Sequence, residues 1–145
     1  MSDHSFVLHA QLQADTYVVG HFPLCLLLLC NDANYPWCIL VPKRKDIREI
    51  HHLSRDDRQL LLVESCVLAQ CMEQLFKPLK MNVAALGNMV PQLHIHHIAR
   101  FEADRAWPAP IWGKAPAKNY DTALLDMRLQ KLRKLMVESE LAFEY

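Results

Sequence analysis

In the run Pro91-Gln92-Leu93-His94-Ile95-His96-His97-Ile98-Ala99-Arg100, ring nitrogens alternate with aliphatic side chains at the two-residue period of a β-strand. In that register Gln92, His94 and His96 share one face, and Leu93, Ile95 and His97 point the other way. Such a strand presses an apolar stripe into a core while it holds an amide and two imidazoles toward a cleft. Imidazole is the side chain that titrates nearest neutrality, so two of them can divide labour at a phosphorus or acyl centre. One ring attacks, and the other donates a proton or a hydrogen bond to the departing oxygen. The face carries no serine or cysteine nucleophile. For His94 to attack, one ring nitrogen must be held as N–H by a carbonyl so that the other presents its lone pair, and nearby strand backbone can supply that acceptor. Gln92 can fix geometry without titrating.

Two other readings of the same residues stay open at this point. A His-x-His pair on a strand can be purely structural, and it can also be half of a zinc site. No cysteine or carboxylate cluster stands nearby at ligand spacing, although distant His51, His52 or Asp104 could converge in the fold. His97 lies on the core side and reads as a satisfied buried or interface histidine.

Elements of both kinds must position this strand. Ser5 to Gln13 suits a short helix, and Thr16-Tyr17-Val18-Val19 a short strand. Leu24 to Cys30 is an unbroken apolar run of strand length. It is separated by the turn residues Asn31 to Pro36 from a second strand, Trp37 to Pro42. Ser54 followed by Asp56 and Asp57 predicts a helix start, because a serine cap and acidic side chains satisfy free N–H groups in the first turn. That helix extends to about Phe76, with Leu61, Leu68, Met72 and Leu75 in one stripe, Leu60, Val63, Val67 and Cys71 beside it, and Pro78 closing it. Met81 to Leu86 reads as a strand, Gly87 to Pro91 as a connection, and antiparallel pairing with the histidine strand is the simplest topology. The prolines of Ala106 to Gly113 forbid a long helix or central strand and predict an ordered loop anchored by Trp107 and Trp112. Asp121 to about Glu140 closes the chain as an amphipathic helix.

The composition sets outer limits. At 145 residues, one domain spanning 1–145 is expected. Hydrophobic residues make up 52% and charged ones 22%, which excludes a disordered chain. A formal charge of zero lacks the basic excess that a nucleic-acid partner requires. The five cysteines show no Cys-x-x-Cys spacing and read as small buried apolar residues of a reducing compartment. Met1-Ser2-Asp3-His4 does not begin a secretory signal, and no segment approaches the roughly 20 apolar residues that span a bilayer. The expected location is cytoplasmic, with no membrane partner.

The string Gln92-Leu93-His94-Ile95-His96-His97-Ile98, with Gly87-Asn88-Met89-Val90-Pro91 before it, resembles the His-φ-His-φ-His-φ-φ signature of the histidine triad (HIT) superfamily, φ being apolar. Asn31, Pro36 to Arg44, Ile50-His51-His52-Leu53 and the long helix resemble the family's nucleotide-binding first half. Trp107-Pro108-Ala109-Pro110-Ile111-Trp112 resembles the tail of a bacterial branch that often has glutamine at the first triad position. The resemblance covers roughly Leu24 to Gly113. It implies an α+β, HIT-like fold: an antiparallel sheet of about five strands, the long helix packed on it and a C-terminal helix. Carried over by position, His94 is the attacking residue, His96 contacts phosphate and assists the leaving group, and Gln92 replaces the first histidine. Asn31 falls where the family contacts ribose or base, and Asn88 lies in the loop that approaches phosphate. The implied activity is hydrolysis or transfer at the α-phosphate of a nucleotide, such as a dinucleoside polyphosphate, through a nucleotidyl-histidine. A nucleotide-binding module with little catalysis and a nucleoside phosphoramidase are the alternatives. The scheme implies a homodimer and no metal or other cofactor.

Overall fold

The computed structural model describes residues 5–145; Met1-Ser2-Asp3-His4, considered above as a possible leader, lie outside the described residues. Five strands, β1 (Thr16–His21), β2 (Cys25–Cys30), β3 (Trp37–Pro42), β4 (Lys80–Ala84) and β5 (Ile95–Arg100), form one sheet in the order β1-β2-β3-β5-β4. Every neighbouring pair is antiparallel. The helices are α1 (Ala10–Asp15), α2 (Arg55–Phe76) and α3 (Thr122–Glu138), with a single 3-10 turn at Ile50–His52. The architecture is therefore the expected α+β sheet of five strands with a long helix and a C-terminal helix.

The apolar run of β2 is unbroken because both of its faces are covered. Cys25, Leu27 and Leu29 join Cys38, Leu40, Ile95 and Ala99 on the back face. There they meet Leu61, Val67, Leu68, Cys71 and Met72 of α2 and Leu132 and Met136 of α3. Leu26, Leu28 and Cys30 join Ile39 and Val41 on the front face, beneath Phe6, Leu8 and Leu12. Each fully buried leucine contributes roughly 1.5–3 kcal/mol by leaving water, so this double layer rather than any one turn holds β2 at the sheet's centre. At the other end of the front face, Tyr35, Ile98, Ala106 and Ile111 form a smaller cluster against Trp37. The front face thus has a cover at each end, one from residues before β1 and one from residues after β5.

Helix α2 starts and stops where its side chains dictate. Ser54 Oγ accepts from the Asp57 N–H at 3.1 Å, and Lys77 ends the helix in the left-handed conformation (φ 52°), one residue before Pro78. Its buried stripe differs from the expected one at two positions. Val63 is 42% exposed, and Glu64 is fully buried. The Glu64 carboxylate accepts from the N–H groups of Leu24 and Cys25, both at 2.8 Å, and so closes the backbone where β2 begins.

Other boundaries shift for identifiable reasons. The opening helix occupies Ala10–Asp15 rather than 5–13, because residues 7 and 9 are held by a side chain from elsewhere and His9 caps the helix. The strand expected over 81–86 is Lys80–Ala84, and the histidine strand begins only at Ile95. Upstream of Ile95 the ladder has no rungs to offer: β3 pairs last at Leu40↔Ile95, and β4 at Ala84↔His96. Of the five cysteines, four are buried as expected, but Cys66 is exposed on α2. Among the described residues, no helix is long and apolar enough to cross a membrane.

Candidate active site

The later start of β5 separates the three polar residues that were expected to share one strand face. His94 and His96 remain together, with ring centroids 4.9 Å apart, and each is almost buried (7% and 6% exposed). Gln92 precedes the strand, and its side chain turns to the chain's opening segment. Its Oε1 accepts from the His9 N–H at 2.8 Å and its Nε2 donates to the Val7 carbonyl at 2.9 Å. The expectation that Gln92 faces the cleft from the strand is corrected accordingly: pairing begins only at Ile95, and the Gln92 amide is engaged by the backbone of the segment that covers the front face.

The two imidazoles are fixed as opposite tautomers by what each touches. His94 Nδ1 lies 2.7 Å from the Gln92 carbonyl, which can only accept, so Nδ1 carries the proton and Nε2 presents its lone pair. His96 Nδ1 lies 3.0 Å from the indole Nε1 of Trp37, which can only donate. His96 Nδ1 is therefore the acceptor, and its single proton sits on Nε2. Burial, then the neighbouring His94 and His97, push the His96 ring down to about 3, so it stays neutral in this form throughout the physiological range. One ring offers a lone pair and the other an N–H.

His97 lies on the opposite face, fully buried, with Nδ1 donating to the Ile95 carbonyl at 3.1 Å. Its Nε2 is 2.7 Å from Ser65 Oγ of α2 and accepts the hydroxyl proton. Burial lowers this ring to about 4, partly offset by the Ile95 carbonyl. It ties sheet to helix and has no access to the cleft.

A cavity of about 380 Å³ opens over His94 and His96, a size that accommodates a small organic ligand. Leu12, Asp15 and Thr16 line it from the α1 end, Gly87, Asn88 and Met89 from the β4–β5 connection, and Trp112 from the segment after β5. The Trp112 ring is 5.1 Å from His96 and perpendicular to Trp37 at 6.1 Å. Asn88 is thus beside the histidines. Asn31 is not; it lines an adjoining cavity of about 430 Å³ that shares Trp37 and Trp112. There its Oδ1 accepts from the Tyr120 N–H at 3.0 Å and its Nδ2 donates to Asn119.

The segment that leads to Trp112 is pinned by a buried hub. Arg100, 1% exposed, donates to Asp104 through Nε and Nη2 at 2.8 and 3.2 Å, to Asn82 at 2.7 Å and to the Ala109 carbonyl at 2.8 Å. Asp104 also accepts the N–H groups of Phe101, Ala106 and Trp107. Burial raises its carboxyl, but these donors outweigh burial and hold it at about 2. Asp104 is therefore engaged with Arg100, and the rings of His51 and His52 meet each other edge to face at 4.6 Å. Among the described residues no group of three or more His, Cys, Asp or Glu side chains is placed to hold a metal ion.

Sequence reasoning missed the role of Trp37 beside His96. Trp37 carries a signal only once its strand is paired: it lies opposite Ile98, two residues from His96 on the same face.

Residues 11–103 match the family described as HIT domain. No curated protein matches the chain by sequence. Solved structures do. A histidine triad protein from Marinobacter aquaeolei VT8 is 50% identical, with a TM-score of 0.89 over 92% of this chain and 97% of that one. A histidine triad protein from Bradyrhizobium japonicum is 40% identical, with a TM-score of 0.88 over 89% and 96%. A histidine triad (HIT) protein from Sinorhizobium meliloti 1021 is 36% identical, with a TM-score of 0.87 over 90% and 96%.

Proposed function

The chain belongs to the HIT domain family, and from that premise we propose that it is a nucleotide hydrolase or transferase that attacks an α-phosphate through a nucleotidyl-histidine intermediate. Dinucleoside polyphosphates and related nucleotidyl compounds are the substrate class. The observation that carries the reading is the pair of opposed tautomers at His94 and His96.

The lone pair of His94 Nε2 forms a bond to the α-phosphorus, and the bond from phosphorus to the bridging oxygen breaks. The electron pair of that bond leaves with the departing phosphate. As the ring gains positive charge, its Nδ1–H bond to the Gln92 carbonyl strengthens, which favours the transition state over the ground state. His96 Nε2–H donates to a phosphate oxygen on which negative charge accumulates. A donor fixed in place before the reaction costs no reorganisation. Water then forms a new bond to phosphorus, the P–N bond breaks, the pair returns to His94 Nε2, and the nucleoside monophosphate is released with loss of the water's proton. Asn88 and the β4–β5 connection lie where they can contact phosphate, and Leu12 and Ile39 offer an apolar surface to the nucleoside. These residues supply nucleophile and donor themselves, so the scheme calls on no metal. We further place the enzyme in the cytoplasm as a homodimer whose two sheets join side by side.

Incubation with diadenosine polyphosphate, followed by alkaline quenching and intact-mass spectrometry, tests the chemistry. The expected result is adenosine monophosphate as product, a transient mass increase of one nucleotidyl group, and loss of both in His94→Ala. Turnover that survives in His94→Ala overturns the mechanism. Binding of adenosine monophosphate without hydrolysis of any phosphoanhydride or phosphoramidate overturns the activity and leaves a nucleotide-binding module.

A further inference from the structure

Of the three polar residues expected on the cleft face, Gln92 alone has its side chain taken up by the backbone of the opening segment, and its two partners indicate why. The groups it holds, the Val7 carbonyl and the His9 N–H, flank Leu8. Leu8 packs with Phe6 on the front-face core formed by Leu26, Leu28 and Ile39. His9 in turn caps α1, its Nδ1 accepting the Gln11 N–H at 3.0 Å. Helix α1 then delivers Leu12 and Asp15, with Thr16 at the start of β1, to the cavity over the histidines. We propose that Gln92 is a positioning residue: its amide seats residues 6–15 on the sheet as one wall of the cleft, while its backbone carbonyl aims the nucleophile. The assignment of this wall to the nucleotide rests on the function proposed above.

The chemistry of the side chain fits this task and explains glutamine at the first triad position. A primary amide presents one acceptor and one donor side by side, matching a carbonyl and an N–H that flank a single residue. A neutral imidazole has one of each, but they diverge from opposite edges of the ring. A carboxylate offers two acceptors and no donor. The His94 Nδ1–H bond uses the main-chain oxygen of residue 92, so it survives any side chain there. Wall and nucleophile thus meet at one residue through separate groups.

The proposal is tested by hydrogen–deuterium exchange and steady-state kinetics on the full chain with Gln92→Ala, Gln92→His and Leu8→Ala. Loss of two ordinary hydrogen bonds corresponds to roughly tenfold in the population of an unseated segment. In both Gln92 variants the amides of residues 8–12 are expected to exchange about tenfold faster. The KM for diadenosine polyphosphate and the Kd for adenosine monophosphate are expected to rise by a similar factor, with a smaller change in kcat. Leu8→Ala, which loosens the same segment without touching Gln92, is expected to give the same split. Unchanged exchange in both Gln92 variants overturns the proposal. So does a fall in kcat at constant KM, which would put the amide at the reacting atoms. Exchange is read without turnover. Faster exchange in a chain that hydrolyses no nucleotide therefore removes the proposed activity and keeps the seating role, and the reverse pattern removes the seating role alone.

Discussion

Trp37→Phe keeps a ring beside His96 and removes the hydrogen that holds its Nδ1 as an acceptor. The buried nitrogen then lacks a donor, a loss of about 1–3 kcal/mol, and the ring is free to move its proton between nitrogens. A fall in kcat/KM of about tenfold is expected, with the 15N resonances of His96 shifting from a single tautomer toward a mixture; unshifted resonances would show that Trp37 does not set the proton. The buried rings also control stability against acid. His96 and His97 are lowered from 6.5 to about 3 and about 4, chiefly by burial. A folded value below the unfolded one means that the stabilisation is complete above pH 6.5, declines as the unfolded chain takes up protons, and is gone once pH falls through the folded values. Each ring contributes a slope of about 1.4 kcal/mol per pH unit in the window between. Thermal melts from pH 7 to pH 4 should show a steadily falling Tm, and His97→Asn should flatten the slope. The two cleft histidines and the need for a carbonyl at His94 could be read from their spacing. The indole on His96 could not, because 59 residues separate the partners and only strand pairing joins them.

At the level of elements, local chemistry was a good guide wherever an end is set by its own side chains. The Ser54 cap, the stop before Pro78 and the limits of Trp37–Pro42 needed no tertiary information. Where a boundary depends on a neighbour, periodicity overran it: His94 continues the alternation, but the pairing of β5 with β3 begins only at Leu40↔Ile95. Gln92 was misread for the same reason. Glu64 is the corresponding case on α2, a carboxylate inside an apolar stripe whose use becomes visible only when the start of β2 is seen against it. Glu64→Ala leaves the N–H groups of Leu24 and Cys25 buried without acceptors. Unfolding in urea should show a loss of about 3 kcal/mol, with the cleft chemistry little altered in the fraction that remains folded; a loss below about 1 kcal/mol would mean that water replaces the carboxylate.

For the whole molecule, the two edges of the sheet are treated differently. At β1 the chain's own tail comes down on Gly20, and His21 and Glu144 exchange backbone hydrogen bonds at 2.7 and 3.0 Å. At β4 none of the described residues pairs with the outer side, and Val83, with Leu79 and Leu86 flanking the strand, is about half exposed or more. The homodimer proposed above would join at that edge. Light scattering should report two chains of 16.8 kDa, and Val83→Asp should shift the population toward one; a wild-type monomer at micromolar concentration would refute the proposed assembly. The order of strands also matters while the protein is being made. β5 is the last strand to be synthesised, yet it lies between β3 and β4. A nascent chain can fold the β1–β3 meander and α2, but β4 has no neighbour and β3 has a bare inner edge until Arg100 clears the ribosome. The strand that carries the cleft imidazole of His96 is thus the keystone of the sheet, and a ribosome stalled short of it holds unpaired edges ready to aggregate and an unfinished cleft.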